Sequence, residues 1–270
     1  MNKIRVELAT FDDVSWNAQV ACTVTRAANK YDDAHQLCRA VDKNRWDMKK
    51  VNEMLKLPHS KISRFIDFTF VITGTSRRFL AQLMTHHIGI SIMSGSLQYS
   101  DHSKQHLDDM FVVPYKLLKM ADYNTNVYLH KQYECFEEYQ RLIEDESVDN
   151  DTAGYTMPQS LRNVLFVKVN LEELKFIGNQ RLCKRNTDET RYVIAKMIQA
   201  VTKETGIDDG LFAPSCIKGP CPEGKYCCGK PCYSWSIDDY IENRIKKHEF
   251  ISMAFRIERE VFEIHRTAVK

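Results

Sequence analysis

Residues 69–99 read TFVITGTSRRFLAQLMTHHIGISIMSGSLQY, and the fold depends on how this stretch divides. In its approach, Phe65, Asp67 and Thr69 alternate with Ile66, Phe68 and Phe70. The run is β-branched and aromatic, which predicts a buried or half-buried strand ended by Gly74. Thr75 or Ser76 then offers the hydroxyl that an N-cap needs to satisfy an orphan amide of a first helical turn. Phe79, Leu80, Leu83 and Met84 recur at helical spacing, with Arg77, Arg78 and Gln82 on other faces, so an amphipathic helix is expected to stop near His86 and His87. The continuation IGISIMSGSLQYSDHS is predicted to be a polar loop. Its Ser91, Ser94, Ser96, Ser100 and Ser103, with Gly89 and Gly95, place hydroxyls and amides beside two imidazoles. Such a loop is either a solvated connector or the lining of a site for phosphate or a heterocycle.

Toward the N-terminus, residues 3–9 alternate weakly and predict a first strand, and residues 15–55 carry helical periodicity. His59 follows Pro58 in the turn LPHSKIS. Toward the C-terminus, residues 104–120 are irregular, and Val127, Tyr128, Tyr133, Phe136, Tyr139 and Leu142 make the stripe of a helix over about 126–144. After the polar break ESVDNDTAG, Val164 to Val169 reads as a strand followed by one or two helices. Asn186 and Glu189 have the spacing of a capping box. Gly206 to Asp209 interrupts the pattern. The charged tail from Ile237 to Val269 reads as helix, with Tyr240, Ile241, Ile245 and Phe250 available for docking or oligomer contacts.

With 270 residues, 43% hydrophobic, 27% charged and a net charge of +2, the chain can bury one substantial core and lacks the basic excess of a polyanion binder. No nucleic-acid partner is expected. The opening MNKIRVELATFDDV holds no signal-like apolar run and no segment approaches a membrane span, so the expectation is a cytoplasmic protein with no membrane contact. Of nine cysteines, Cys22, Cys38, Cys135 and Cys183 are scattered, whereas Cys216, Cys221, Cys227, Cys228 and Cys232 are clustered. Their spacing does not form two clean Cys-x-x-Cys knuckles, but the intervening Gly and Pro residues permit tight turns. Structural zinc and a reduced thiol-rich loop are both open.

The order of elements resembles the flavin-dependent thymidylate synthases, the ThyX family. TGTSRRFLAQL, from Thr73, resembles that family's Thr-Gly-x-Ser-Arg…Gln-Leu segment. The signature Arg-His-Arg-x-x-Ser-x-Asn-Glu-x-Ser-x-Arg-Tyr registers in two ways. From its right end, His87, Ser91, Ser96 and Tyr99 match; from its left end, through Gln82 and Leu83, His86 is the signature histidine. Met157-Pro158, Asn170, Leu174, Arg181, Glu189 and Arg191 resemble the later block, without a gap from Pro158 to Arg191.

The resemblance implies an α+β fold: a mostly antiparallel sheet with packed helices over residues 1–205, then a Cys-rich loop (206–235) and a C-terminal helical extension (236–270). It implies transfer of a one-carbon unit from methylenetetrahydrofolate to C5 of dUMP, with FAD as cofactor and NADPH as reductant. It also implies a homotetramer with sites between subunits and no protein nucleophile. By position, His59, His86, His87 and Ser91 would face the flavin, and Gln82, Ser94, Ser96, Gln98, Tyr99, Arg181 and Arg191 the nucleotide. The signature arginines are replaced, by Thr85 or His86, His87 or Ile88, and Gln98, and a later one by Glu172. Other cations compensate (Arg77, Arg78, Arg162 and Lys184 are candidates), or the pyrimidine or product has changed, or the chain is a non-catalytic nucleotide-binding relative.

Overall fold

The computed structural model describes residues 4–58, 61–105, 110–114, 117, 122–230, 232 and 234–245. His59 and the tail beyond residue 245 therefore lie outside the described residues. Four antiparallel strands, β1 (Arg5–Phe11), β2 (Asp67–Ser76), β3 (Ile90–Ser94) and β4 (Arg162–Asn170), form one sheet in the order β1-β2-β4-β3. Helices α1 (Val14–Ala27), α2 (Ala34–Lys43) and α3 (Met48–Leu55) join β1 to β2, and α4 (Arg77–Leu83) joins β2 to β3. The long α5 (Asp122–Ile143) and short α6 (Asn150–Gly154) precede β4, which runs into α7 (Leu171–Arg181) and α8 (Asp188–Thr205). This is the α+β architecture expected.

Alternation decides which face of the sheet is covered. Phe68, Phe70 and Ile72 of β2 and Leu165, Val167 and Val169 of β4 turn inward with no exposed surface, against α7 and α8. Burying each such side chain is worth roughly 1.5–3 kcal/mol before entropic costs. The outward residues differ: Met93, Phe166 and Val71 stand side by side across three strands, with Met93 71% and Phe166 49% exposed. A second cluster, Met110, Phe111, Phe136, Tyr139 and Leu161, packs beneath α5.

Three local expectations need correction. Gly74 does not end β2; it sits at φ 78 in an irregularity where the pairing shifts between Thr73 and Thr75, and the strand continues to Ser76. The extra residue is absorbed because glycine takes positive φ without steric cost. The stretch after His87 is not all loop, because Ile90–Ser94 pairs with Leu165–Val169 as an edge strand. Lastly, Asn186 and Glu189 form no capping box: Thr187 caps α8, and the Glu189 carboxylate is used elsewhere. In the tail, Ile237, Tyr240, Ile241 and Ile245 are buried in the main core.

Candidate functional site

Ser76 caps α4, its hydroxyl accepting from the Phe79 amide at 3.1 Å, so the residues that follow β2 start from a fixed point. Three residues beyond the other end of α4 lies His86, buried to 6% exposure. Each end is held by a glutamate from the first turn of a following helix. Glu189 accepts from the Ser76 amide and hydroxyl, both at 2.6 Å, and Glu173 lies 2.8 Å from His86 Nδ1. Asn170 caps α7 by accepting from the Glu173 amide, which aims that carboxylate at the histidine.

Arg181, at the last turn of α7, donates from Nε to His86 Nε2 at 3.0 Å and from Nη2 to Thr85 Oγ1 at 2.7 Å. A guanidinium can only donate, so Nε2 accepts and the His86 proton sits on Nδ1, directed at Glu173. Burial, then the positive charge of Arg181, then His87 push the His86 pKa down to about 4. Burial and the neighbouring Glu172 push Glu173 up to about 6. The His86–Glu173 contact is therefore a hydrogen bond to a neutral imidazole, not an ion pair, near neutral pH. Gln82 joins the cluster: its carbonyl oxygen Oε1 accepts from Thr190 at 2.5 Å and its backbone carbonyl faces Arg181 Nη2 at 3.4 Å.

The structure thus gathers Gln82, His86 and Arg181. His87, Ser91, Ser94, Gln98 and Tyr99 are exposed along β3 and the following turn, where Ser96 Oγ accepts from the Gln98 amide at 3.1 Å. Arg191 is not among them. Its guanidinium is buried, donating to the Tyr240 hydroxyl at 2.9 Å and to Asp188 at 2.8 Å. Tyr240, in the segment after the cysteine loop, has its pKa pushed up to about 12 by burial, so the phenol stays protonated. Glu173 and Thr190 carry no expectation from sequence, and Glu189 and Thr85 figure there only as capping-box, family-block or replaced positions, not as partners of Ser76 and Arg181. The Asn-x-x-Glu spacing at Asn170 and Glu173 was the available signal, since it marks a helix start whose acid has a choice of partner.

Charge beneath the serine turn comes from Arg77. Its Nη2 donates to the Gly95 carbonyl at 3.1 Å, while its Nε is buried without a hydrogen-bond partner. Asn163 accepts from the Gly95 amide at 3.0 Å, and its Nδ2 is likewise buried and unpartnered. Two unsatisfied donors, one on a guanidinium, thus lie under the segment carrying Ser94, Ser96 and Gln98. Buried donors without partners are costly, and because these two have no accessible surface a ligand reaches them only if the turn above them moves. The accessible donors of the turn, on Ser94, Ser96 and Gln98, are of a kind that fits a phosphorylated nucleotide or flavin.

Two cavities flank the cluster. One, of about 550 Å³, is bordered by Ser76, Arg78, Tyr128, Gln132 and Glu189. The second, of about 610 Å³, is bordered by Arg181 and by the cysteine segment; Lys184, Arg185 and Asn186 line both. Neither is lined by His87 or Ser91, which open onto the surface of the single chain. Cys216, Cys221, Cys227, Cys228 and Cys232 all border the second cavity as free thiols. A zinc site needs three or four ligands about one centre, and among the described residues no group of three His, Cys, Asp or Glu side chains is so arranged. Hydrogen bonds from the Gly229 amide, then from Cys221, hold the Cys227 thiol below its usual pKa.

An antiparallel sheet covered on one face, with a guanidinium, an imidazole and a carboxylate locked together where the short helix ends, defines an α+β protein with a polar cluster at that sheet's edge. Residues 9–205 match the family model described as thymidylate synthase complementing protein, and the chain belongs to that family. It is 28% identical over 188 residues to a flavin-dependent thymidylate synthase of Geobacter sulfurreducens, covering 67% of this chain and 75% of the relative. With the enzyme of that name from Pyrococcus horikoshii it shares 31% identity over 179 residues, or 63% and 71% of the two chains. Among solved structures, the UMP/dUMP methylase PolB of Streptomyces cacaoi, bound with 5-Br dUMP, has the same fold at a TM-score of 0.61 and 19% identity, over 78% of this chain and 95% of that one. ThyX of Helicobacter pylori, complexed with FAD and dUMP, superposes at 0.55 with 17% identity, over 77% and 97%.

Proposed function

We propose that this chain is a flavin-dependent thymidylate synthase that moves a one-carbon unit from methylenetetrahydrofolate to C5 of dUMP, with FAD as cofactor and NADPH as reductant. The observation that carries the reading is the Arg181–His86–Glu173 chain just before β3, in a family whose relatives carry that name. Bound reduced flavin supplies hydride chemistry, and the protein contributes positioning and electrostatics.

Both ring nitrogens of His86 are engaged by Glu173 and Arg181, so His86 orients the guanidinium and takes up no proton from substrate. His87, exposed and next in the chain, is the imidazole that faces ligand, together with Ser91. Arg77 and Arg181 supply the fixed positive charge that the replaced signature arginines would have carried, for the anionic groups of nucleotide and flavin. Arg191 is committed to Tyr240 and Asp188, and acts by holding α8 to the segment that follows the cysteine loop.

A homo-oligomer, a tetramer by the family pattern, completes the site. Its support is the uncovered sheet face of Val71, Met93, Val164 and Phe166, together with ligand-facing residues that open outward. Residues 1–205 carry the ligand-binding groups, and the segments after them complete the same core through Phe212, Ile237, Tyr240 and Ile245.

The test is purified protein assayed for bound FAD and for dTMP formed from dUMP, methylenetetrahydrofolate and NADPH. Flavin absorbance near one per chain with dTMP formation is the expected result. A colourless protein that takes up no added FAD would sink the proposal. A second reading follows from the lost arginines: dUMP binding without FAD or turnover would make this a nucleotide-binding relative.

A further inference from the structure

The cysteine segment is not accounted for by the proposed reaction, and its internal geometry is specific. Cys227 accepts a hydrogen bond at its sulfur from the Gly229 amide at 3.4 Å, and Cys221 and Cys228 are its thiol neighbours. Successive turns set this up: Gly224 N donates to Cys221 O at 3.2 Å, Tyr226 N to Glu223 O at 2.9 Å, and Cys227 N to Gly224 O at 3.0 Å. Gly224 supplies the left-handed conformation, at φ 51, that folds the chain back. The turn holds Cys221 and Cys227 together from the two sides of a five-residue loop, Pro222–Tyr226.

Other pairings are worse. Cys228 neighbours Cys227 in sequence, and Cα atoms about 3.8 Å apart are closer than the usual disulfide range of about 4.4–6.8 Å. Its thiol donates to the Lys230 carbonyl at 3.6 Å, and Cys232 is buried with its thiol on the Ser234 carbonyl at 3.2 Å. Arg185 adds positive charge near Cys227, held by a hydrogen bond to the Tyr226 carbonyl and by the Tyr226 ring. A sulfur that accepts from an N–H with a guanidinium nearby is stabilised as thiolate, the nucleophilic form.

We propose that Cys221 and Cys227 form a reversible disulfide on contact with a low-molecular-weight disulfide, with Cys227 as the attacking sulfur. The Cys227 thiolate attacks one sulfur of the small disulfide; that S–S bond breaks and one thiolate leaves and takes up a proton. Cys221 then loses its proton, attacks Cys227 Sγ in the mixed disulfide and expels the second small thiol. Two protein thiols are oxidised and one small disulfide is reduced to two thiols. Closure fixes the loop whose Tyr226 carbonyl holds Arg185, a residue bordering both cavities.

The experiment exposes the full chain, without denaturant, to oxidised glutathione and maps its cysteines by mass spectrometry. The expected product has lost two hydrogens, carries a Cys221–Cys227 crosslink and reverts with dithiothreitol. Cys221→Ser should stall with one glutathionyl group on Cys227, and Cys227→Ser should react at least about tenfold more slowly. The proposal is overturned if other cysteines carry the crosslink, if Cys227→Ser reacts at the parent rate, or if stoichiometric zinc must be stripped before any thiol reacts.

Discussion

Glu173 and Glu189 hold opposite ends of one short helix. The first accepts from His86 just past the C-terminus of α4, and the second accepts twice from Ser76 at its N-terminus. Both acids sit in the first turn of a helix of their own, where a carboxylate often turns back to its own cap. Here each reaches across to the segment between β2 and β3 instead, so α7 and α8 fix both ends of α4.

The pH dependence of stability should expose the Glu173 contact. Its folded-state pKa is raised from 4.5 to about 6, so its contribution is fully present below 4.5 and is lost as pH rises through about 6. His86 works in the opposite sense. Its pKa falls from 6.5 to about 4, so its contribution is lost as pH falls between those values. Comparing Glu173→Gln with the parent isolates the first effect. In urea titrations, the deficit of the variant should be larger near about pH 4.5 than near about pH 7.5. A deficit that grows toward higher pH would refute the assignment.

Arg181→Lys keeps the charge but cannot bond His86 and Thr85 together. Losing one charge-assisted bond of about 1.5–3 kcal/mol predicts a roughly ten- to hundred-fold fall in kcat/KM for dUMP. A variant with full activity would remove Arg181 from the site.

Ser76→Ala takes away a helix cap and one of two donors to a carboxylate whose pKa burial already raises. The expected loss is about 1–3 kcal/mol in chemical unfolding, with the fold retained. Ser76→Thr should recover part of it.

Phe166→Asp puts a charge on the uncovered sheet face, opposite Met93 and Val71. If copies of the chain meet there, sedimentation velocity should show smaller species and bound flavin should fall with them. An unchanged assembly would place the contact elsewhere.

Much of the fold was legible because the signals were local. Alternation gave β2 and β4, hydroxyl caps gave the start of α4, and glycine gave the end of α8 at Gly206. The strand β3 was missed because Ser91, Met93 and Ser94 are exposed on an edge, where the apolar alternation that identifies a buried strand is weak. Within the site, His86 and Arg181 stood out by type and position. Their partner Glu173 did not, since the contact spans 87 residues and its spacing from Asn170 marks a helix start without naming a distant partner; the adjacent Glu172 pairs with Arg64 instead. Arg191 was misleading for a related reason: a buried guanidinium is as serviceable to a core tyrosine as to a phosphate, and Tyr240 lies far along the chain.

The irregularity at Gly74 makes length, rather than chemistry, the constrained quantity at the end of β2. Between Thr73 and Thr75 the strand carries one residue more than its partner, and that residue decides to which side Ser76 turns. Substitutions at Thr73 or Thr75 would leave this phase intact. Deleting any one of the three would turn the Ser76 hydroxyl away from Glu189 and strand a buried carboxylate. Relatives of this chain should therefore keep a glycine at the position of Gly74 and the spacing around it, with insertions and deletions confined to the turns beyond Gly95.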